Sequence, residues 1–396
     1  MKRIVVISNF GGDFSRENNN RFVYLCHELS REHQVEMITN DFIHSKKERK
    51  PPLTEKLPFR VTYLHEPGYR KNISFKRFYS HHVWGREVDK YLRAGEKPDV
   101  IYCAIPSLTA ALKASRYCRK NGIRFVIDIQ DLWPEAFRMV FNIPVISGIL
   151  FYPFQALADK IYRSADGICA VSESYVNRAV KVNRKCRKGH SVFLGTRLAT
   201  FDEGAKETPV IQKPDDELWL GYCGSLEASY DIDCVIDALR ILEDKKQVTP
   251  RLIVMGRGSR KEHFEKYAEE KQIKATFTDR LPYNQMCAVL SRCDMVINPI
   301  TKGSAASIIN KHGDYAASGL PVINTQDSRE YRDLVDTYRM GFNCENGNAE
   351  DVADKIAYLM NHTEERLEMG RNARKCAEEK FDRANSYKIL ISTILE

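Results

Sequence analysis

Short apolar runs alternate along this chain with longer stretches whose apolar residues recur at helical spacing. Ile4–Ile7 is a β-branched run followed by a glycine-containing loop, and the next segment carries Phe22, Leu25 and Leu29 one helical turn apart. Val35–Thr39 and Val61–Leu64 read as further strands, Ser74–Arg93 as a helix and Asp99–Cys103 as a strand. A helix over about 107–121 follows, which Gly122 is placed to end. Then come a strand at Phe125–Ile129, a mostly helical stretch over 146–164, a strand at Gly167–Val171 and a helix from Glu173 that Ser172 caps. The rhythm weakens over 198–217, which is polar with two prolines and reads as a linker. It restarts with strands at Leu218–Tyr222, Leu252–Met255, Ala275–Phe277, Met295–Asn298 and Pro321–Asn324, separated by helices over 231–242, 261–272, 283–291 and 308–318. Helices over 349–361, 364–380 and 383–395 close the chain.

Short buried strands alternating with helices imply parallel sheets covered on both faces. The expected architecture is therefore α/β, with two doubly wound domains in tandem. Residues 1–200 would form the first, 201–382 the second, and 383–396 a terminal helix returning toward the first. Such sheets place ligands at the carboxyl ends of their strands. Two of them facing a cleft would suit group transfer between two substrates.

Charge sharpens this picture. The net charge is +8, but it is unevenly spread. Residues 1–200 hold 34 Lys and Arg against 19 Asp and Glu, and the remainder holds 27 against 34. The basic half predicts an anionic partner. Nucleic acid is disfavoured, because no zinc finger, recognition helix or aromatic-rich single-strand motif is present. Met139–Ala158 is a run of twenty residues with no charge. Pro144 and Pro153 argue against a membrane span. The run reads either as an apolar segment lying on a bilayer interface, flanked by Arg138, Lys160 and Arg163, or as a core connection. Eleven scattered cysteines without Cys-x-x-Cys spacing fit a reducing compartment, and the first apolar run is too short for a signal-peptide core.

The most specific chemistry lies over 298–324. A strand ends at Asn298-Pro299, and a small-residue loop, Gly303 to Ser307, leads into a helix carrying Asn310, Lys311 and Asp314. Small residues at a helix N-terminus let backbone N–H groups and the helix dipole face a phosphate. A carboxylate two turns inside, Asp314, has the chemistry to accept from vicinal hydroxyls such as a ribose diol.

This segment resembles the donor motif of family 4 glycosyltransferases of the GT-B fold. Asp314-Tyr315-Ala316-Ala317-Ser318-Gly319-Leu320-Pro321-Val322-Ile323 matches its second half, with Asp for the second Glu. Asn310-Lys311 is similar to the variant in bacterial capsule, O-antigen and exopolysaccharide enzymes. The first Glu of the motif would fall at Ala306, so that acid is missing. Gly224-Ser225 resembles the loop opening the donor domain, but Ser225 and Tyr230 stand where the family has an Arg and a Lys for the diphosphate. Arg257 or Lys311 is left to supply that charge. Gly256 and Gly258 match a family Gly-x-Gly turn, and Leu281 lies in a loop resembling the one that contacts the base. Glu330 falls where the family keeps a Glu, and Gly341–Cys344 resembles its next turn. In the first half, Gly11-Gly12 matches the glycine loop that approaches the donor diphosphate. Asp131-Leu132-Trp133-Pro134 resembles a segment of the same bacterial subgroup. Many family members place a His near there, and this stretch has none.

The resemblance implies a retaining, metal-independent transferase using a nucleoside diphosphate sugar, UDP favoured, on a lipid-linked or glycan acceptor. Its expected place is peripheral, on the cytoplasmic face of the plasma membrane, with the anionic surface met by the basic domain and Met139–Ala158. Asp131, Lys311 and Arg257 are the expected reaction-centre groups. Gly11, Gly12, Gly224, Ser225, Gly256, Leu281, Ser307, Ile308, Ile309, Asn310 and Asp314 are the expected donor contacts, and no metal ligands are expected. A sugar-nucleotide epimerase or phosphorylase of the same fold, and a non-catalytic partner subunit, remain as alternatives.

Overall fold

A computed structural model describes residues 1–12, 14, 20–44, 46–71, 74–135, 146–303 and 308–396, with backbone alone for 146–150. The chain divides into two compact units, Met1–Phe193 with Tyr387–Glu396, and Leu194–Ser386.

The first unit holds β1 (Arg3–Ile7), α1 (Arg21–Leu29), β2 (Gln34–Asn40), a small antiparallel pair β3 (Phe42–Ile43) and β4 (Glu48–Arg49), and β5 (Arg60–Leu64). It continues with α2 (Phe75–Ala94), β6 (Val100–Ile105), α3 (Leu108–Asn121), β7 (Arg124–Ile129), α4 (Ile146–Ser164), β8 (Gly167–Ala170), α5 (Glu173–Val180) and β9 (His190–Ser191). Its parallel sheet runs β5-β2-β1-β6-β7-β8-β9. Both faces are buried, so the strands read as unbroken apolar runs. Val5 and Ile7 pack with Trp84 and Val88 on one side, and Ile4 and Val6 with Phe22, Leu25 and Leu390 on the other. Gly122 ends α3 in the left-handed region, where a side chain would be strained.

The second unit begins with α6 (Leu198–Ala205), a helix inside the stretch that the sequence reads as a linker. Leu198 and Phe201, three residues apart, are buried, and two apolar positions are too few to register as a periodicity. There follow β10 (Trp219–Cys223), α7 (Ile232–Asp244), β11 (Arg251–Met255), α8 (Lys261–Glu270), β12 (Ala275–Thr278), α9 (Tyr283–Leu290) and β13 (Met295–Asn298). Then come α10 (Asn310–Ala317), β14 (Val322–Asn324), α11 (Arg329–Tyr338), β15 (Gly341–Asn343), α12 (Ala349–Asn361) and α13 (Thr363–Cys376). The sheet order is β12-β11-β10-β13-β14-β15, all parallel. The segment expected as a turn at 341–344 supplies the edge strand β15. The helix expected over 364–380 gives way at Ala377–Phe381 to a π-turn. The short α14 (Arg383–Ser386) follows, and α15 (Lys388–Leu395) packs Leu390 and Ile394 into the first unit's core. All eleven cysteines are free thiols. Among the described residues no helix is long and apolar enough to cross a membrane.

Candidate active site

Strand order reverses between β10 and β13 in the second unit and between β1 and β6 in the first. In open parallel sheets the crevice outside the carboxyl ends of such a pair is where ligands bind. Each unit concentrates its buried polar groups near that point.

In the second unit, β10 leads into Gly224 and β11 into Gly256. Gly224 has φ +149, and a Cβ there would meet Lys311 Nζ at 2.9 Å. A Cβ on Gly256 would collide with the Gly224 carbonyl at 1.8 Å, so this glycine is required by the contact between two loops. Lys311, on the first turn of α10, is 7 % exposed. Its Nζ lies 4.2 Å from the Tyr222 ring centroid and 3.9 Å from that of Tyr230. The ammonium has three N–H donors, and among the described residues it has no hydrogen-bond partner. Burial pushes its pKa down to about 7. A buried amine without acceptors is costly unless something anionic completes it. Tyr230, which stands in place of the expected cation, is thus one wall around a cation delivered from α10. The Tyr222 hydroxyl donates to the Ser225 carbonyl at 2.6 Å and fixes the other wall.

Asp314 faces inward to other partners. Its Oδ1 accepts from the Tyr283 hydroxyl at 2.8 Å, and Tyr283 lies 2.8 Å from Thr196 Oγ1. Burial raises its pKa, opposed by the Tyr283 and Thr196 hydrogen bonds. Arg257 is solvent-exposed, Leu281 and Ile309 are half-buried, Ile308 is buried, and Asn310 and Ser225 are exposed. Ser307, with Ser304, Ala305 and Ala306, lies outside the described residues.

Behind Lys311 runs a polar ladder that the sequence reading missed. Asn298, Asn324 and Asn343 stand in register at the ends of β13, β14 and β15. Asn298 donates to Asn324 and Asn324 to Asn343, each at 2.8 Å. His312 stacks on Tyr331 with ring centroids 3.5 Å apart and sits 3.2 Å from Asn298 Nδ2. Burial holds its pKa well below the ordinary histidine value, so the ring is neutral.

In the first unit, Gly11 follows β1, where a Cβ would meet Thr39 Oγ1 at 2.6 Å; Gly12 has φ +77. Asp131 follows β7 and is half-buried, accepting from Trp133 Nε1 at 3.2 Å. Burial raises its pKa, opposed by that bond and by Arg77. The histidine absent from the Asp131 segment arrives from α2. The His81 ring lies parallel to the Trp133 indole at 5.5 Å, and the Arg77 guanidinium sits 4.6 Å from the same indole. His81 Nε2 is 3.4 Å from Asn9 Nδ2, and its Nδ1 has no hydrogen-bond partner among the described residues. Burial, with Arg77 and His44, pushes its pKa down to about 3, so it is neutral and makes no ion pair with Glu66 at 3.9 Å. Glu66 is 1 % exposed, accepts from Ser80 at 2.8 Å and from Asn40, and has its pKa raised by burial. These residues come from the loops after β1, β5 and β7, from the end of β2 and from α2, which no local motif reveals. Among the described residues no three His, Cys, Asp or Glu side chains are grouped to hold a metal ion.

Of the apolar run Met139–Ala158, residues 139–145 lie outside the described residues. The rest is helical, with Phe151 and Ala158 buried and Tyr152 exposed.

Two parallel-sheet Rossmann-like domains, each with a polar cluster near its switch point, define a doubly wound α/β class. The model of the Glycosyltransferase Family 4 domain matches residues 19–190, and that of Glycosyl transferases group 1 matches residues 205–376. The chain belongs to the GT-B glycosyltransferases. No curated protein matches it in sequence. Among solved structures it is similar to Anabaena Alr3699/HepE, crystallised in complex with UDP, at 14 % identity, full coverage of both chains and a TM-score of 0.70. WaaG, a glycosyltransferase involved in lipopolysaccharide biosynthesis, shares 15 % identity over 98 % of each chain, with a TM-score of 0.64. A putative UDP-N-acetylglucosamine 2-epimerase from Listeria monocytogenes shares 12 % identity over 98 % of this chain and 95 % of its own, with a TM-score of 0.61. At these identities the likeness is one of fold.

Proposed function

We propose that this glycosyltransferase moves a sugar from a nucleoside diphosphate sugar, UDP favoured, to a lipid-linked oligosaccharide or polysaccharide precursor at the cytoplasmic membrane face, with retention of configuration. The observation that carries the donor half is Lys311. A buried ammonium with three unused donors at the strand-order switch fits a diphosphate. Its charge takes the place of the family cations absent at Ser225 and Tyr230. UDP is favoured because HepE was crystallised with it.

In this reading the bond between sugar C1 and the diphosphate oxygen breaks as an acceptor hydroxyl bonds to C1 on the same face. The acceptor proton passes to the leaving diphosphate. Lys311 neutralises the charge that develops there, without a metal. Asp131 and Arg77, both half-buried beside the Trp133 indole, offer an acceptor and a cation for an acceptor's hydroxyls and phosphate. The lipid-linked acceptor follows from the basic first half, since a prenyl diphosphate is anionic, and WaaG acts in lipopolysaccharide biosynthesis.

A panel of UDP-, GDP- and dTDP-sugars tests this by thermal shift and donor turnover with and without a polyprenyl diphosphate sugar. The expected result is one stabilising donor whose turnover rises with acceptor. Turnover without acceptor that gives an epimerised nucleotide sugar would establish the epimerase alternative. No donor binding would establish the partner-subunit alternative.

A further inference from the structure

Asp131 and Trp133 lie on the segment that follows β7, and a loop places side chains less precisely than a helix or strand. Part of the segment's support comes from α2. The Trp133 ring lies 6.2 Å from that of Phe78 and 5.5 Å from that of His81, and the Arg77 guanidinium sits 4.6 Å from it. Such ring contacts are weakly directional beside charged hydrogen bonds. The hydrogen bond from Trp133 Nε1 to Asp131 is internal to the segment and joins it to no other element.

Directed contacts come from Arg178 on α5, four residues along the segment from Asp131 at Glu135. Arg178 Nε donates to Glu135 Oε1 at 2.6 Å, and its Nη2 donates to Asp159 Oδ1, on α4, at 2.6 Å. The Arg178 and Asp159 side chains are each 17 % exposed. Charge-assisted bonds of this length are strong, and the planar guanidinium fixes the angle between the two. Both helices are firm mounts. Ser172 caps α5, whose Val176 and Ala179 are buried, and α4 buries Ala158 and Ile161 beside Asp159. Among the described residues Arg178 is the one cation within ion-pair distance of Glu135. The other oxygen of Glu135 is buried and has no hydrogen-bond partner among the described residues, and the same holds for the nearby Tyr162 hydroxyl. Without Arg178, Glu135 is a carboxylate kept from water with nothing to hold it, and reaching water means moving the segment.

We propose that Arg178 is a positioning residue of the first unit's site: by clamping Glu135 to Asp159 it sets where the Asp131–Trp133 segment stands, and with it how the acceptor binds. Arg178 acts through Glu135 and touches none of the reacting groups. It also keeps a second carboxylate charge from standing uncompensated beside Asp131, whose pKa is raised first by burial and further by Glu135. A free Glu135 charge there would repel an anionic acceptor. The proposal deepens the transferase reading and rests on it for the acceptor; the placing of Trp133 by Arg178 stands without it. An ion pair that served folding alone would change stability and leave the indole and the acceptor KM where they are.

The test uses the full chain with Arg178→Met, Arg178→Lys, Glu135→Ala and the double variant Arg178→Met/Glu135→Ala. The first readout is acrylamide quenching of tryptophan fluorescence. The chain has three tryptophans, and Trp84 and Trp219 are deeply buried, so added quenching reports Trp133. Quenching is expected to rise in Arg178→Met and in Glu135→Ala, to rise no further in the double variant, and to fall between wild type and Arg178→Met in Arg178→Lys. The second readout is steady-state kinetics with a UDP-sugar and a polyprenyl diphosphate sugar. The acceptor KM is expected to rise about tenfold in Arg178→Met. The donor KM and the thermal shift with the UDP-sugar should stay at the wild-type values. Unaltered quenching in both single variants would overturn the proposal. So would effects that add in the double variant, or donor and acceptor KM values that rise together. If Arg178→Met does not fold, Glu135→Ala and Arg178→Lys give the same two readouts. A wild type that turns over no donor would overturn the transferase reading, and the quenching pattern would still decide the clamp.

Discussion

Among the described residues three Lys or Arg side chains are buried, Arg21 in the first unit and Lys311 and Arg383 in the second, and Arg21 and Lys311 are treated in opposite ways. In the first unit, Arg21 is 3 % exposed and fully engaged. Its Nε and Nη2 grip both oxygens of Asp128 at 2.8 and 3.1 Å, and Nη1 donates to the carbonyls of Val192 and Phe193 at 2.7 and 3.0 Å. The guanidinium also lies 5.0 Å from the Tyr387 ring. In the second unit, Lys311 is nearly as buried, lies over two aromatic faces and has no hydrogen-bond partner among the described residues. Against the same burial penalty, the Asp128 charge helps hold the Arg21 pKa above its ordinary value, while Lys311 falls to about 7. A satisfied buried charge ties α1 to β7 and to the end of the unit. An unsatisfied one is an incomplete site.

The largest expected effect breaks the first half of this contrast. Asp128→Asn leaves the Arg21 charge buried without its counter-charge, at a cost of about 3–5 kcal/mol. A lower denaturation midpoint followed through Trp84 and Trp133, which both lie in the first unit, reports it. An unchanged midpoint would mean that Arg21 is not the tie described here.

Lys311→Met should do the reverse. The folded Lys311 loses its proton near pH 7 whereas the unfolded chain keeps its own to about 10.5. Between these values the unfolded state binds the extra proton, so this group's contribution to stability rises with pH, and below pH 7 it is a penalty. Methionine, of similar length and without charge, removes the penalty. The variant is expected to melt at or above the wild-type temperature near pH 7 and to bind a UDP-sugar roughly thirtyfold more weakly, a loss of about 2 kcal/mol. Tyr230→Leu removes one aromatic wall only. It should weaken donor binding by about 1 kcal/mol, the size of a partly buried cation–π contact. A Tyr230 variant with unaltered affinity would leave Tyr222 as the wall that matters.

The fold was legible in the sequence because its signals are local. Several apolar runs end at a glycine or asparagine, as at Asn40, Gly256, Asn298 and Asn324, and most strand limits differ from the observed ones by a residue or two. The elements that escaped reading bury little of themselves. Helix α6 contributes Leu198 and Phe201, α11 contributes Tyr331 and Val335, and β9 is two residues long. Within the candidate site, Lys311, Gly224 and Gly256 were legible as local positions, a lysine at a helix start and a glycine just past each of two strands. The structure brings the Gly224 and Gly256 loops into contact, with Lys311 beside Gly224. The pair formed by His81 with Trp133 was not legible, because α2 meets the Asp131 loop only through the tertiary fold. Asp314 was read by its type as a hydroxyl acceptor, and the hydroxyl it accepts is that of Tyr283 in its own domain. A short motif shows that a carboxylate is present but not which way it turns.

The claim that Lys311 is completed by the donor diphosphate has a direct measure in proton uptake. A diphosphate beside the ammonium raises its pKa again, so binding a UDP-sugar at pH 8 should draw a proton from the buffer. Calorimetric titration of the best-binding UDP-sugar at pH 8, in two buffers of different ionisation enthalpy, reads that number. The account predicts close to one proton taken up by the wild type, none by Lys311→Met, and a wild-type Kd that rises about tenfold per pH unit above pH 7. A UDP-sugar that binds equally tightly to both proteins with no proton uptake would contradict it.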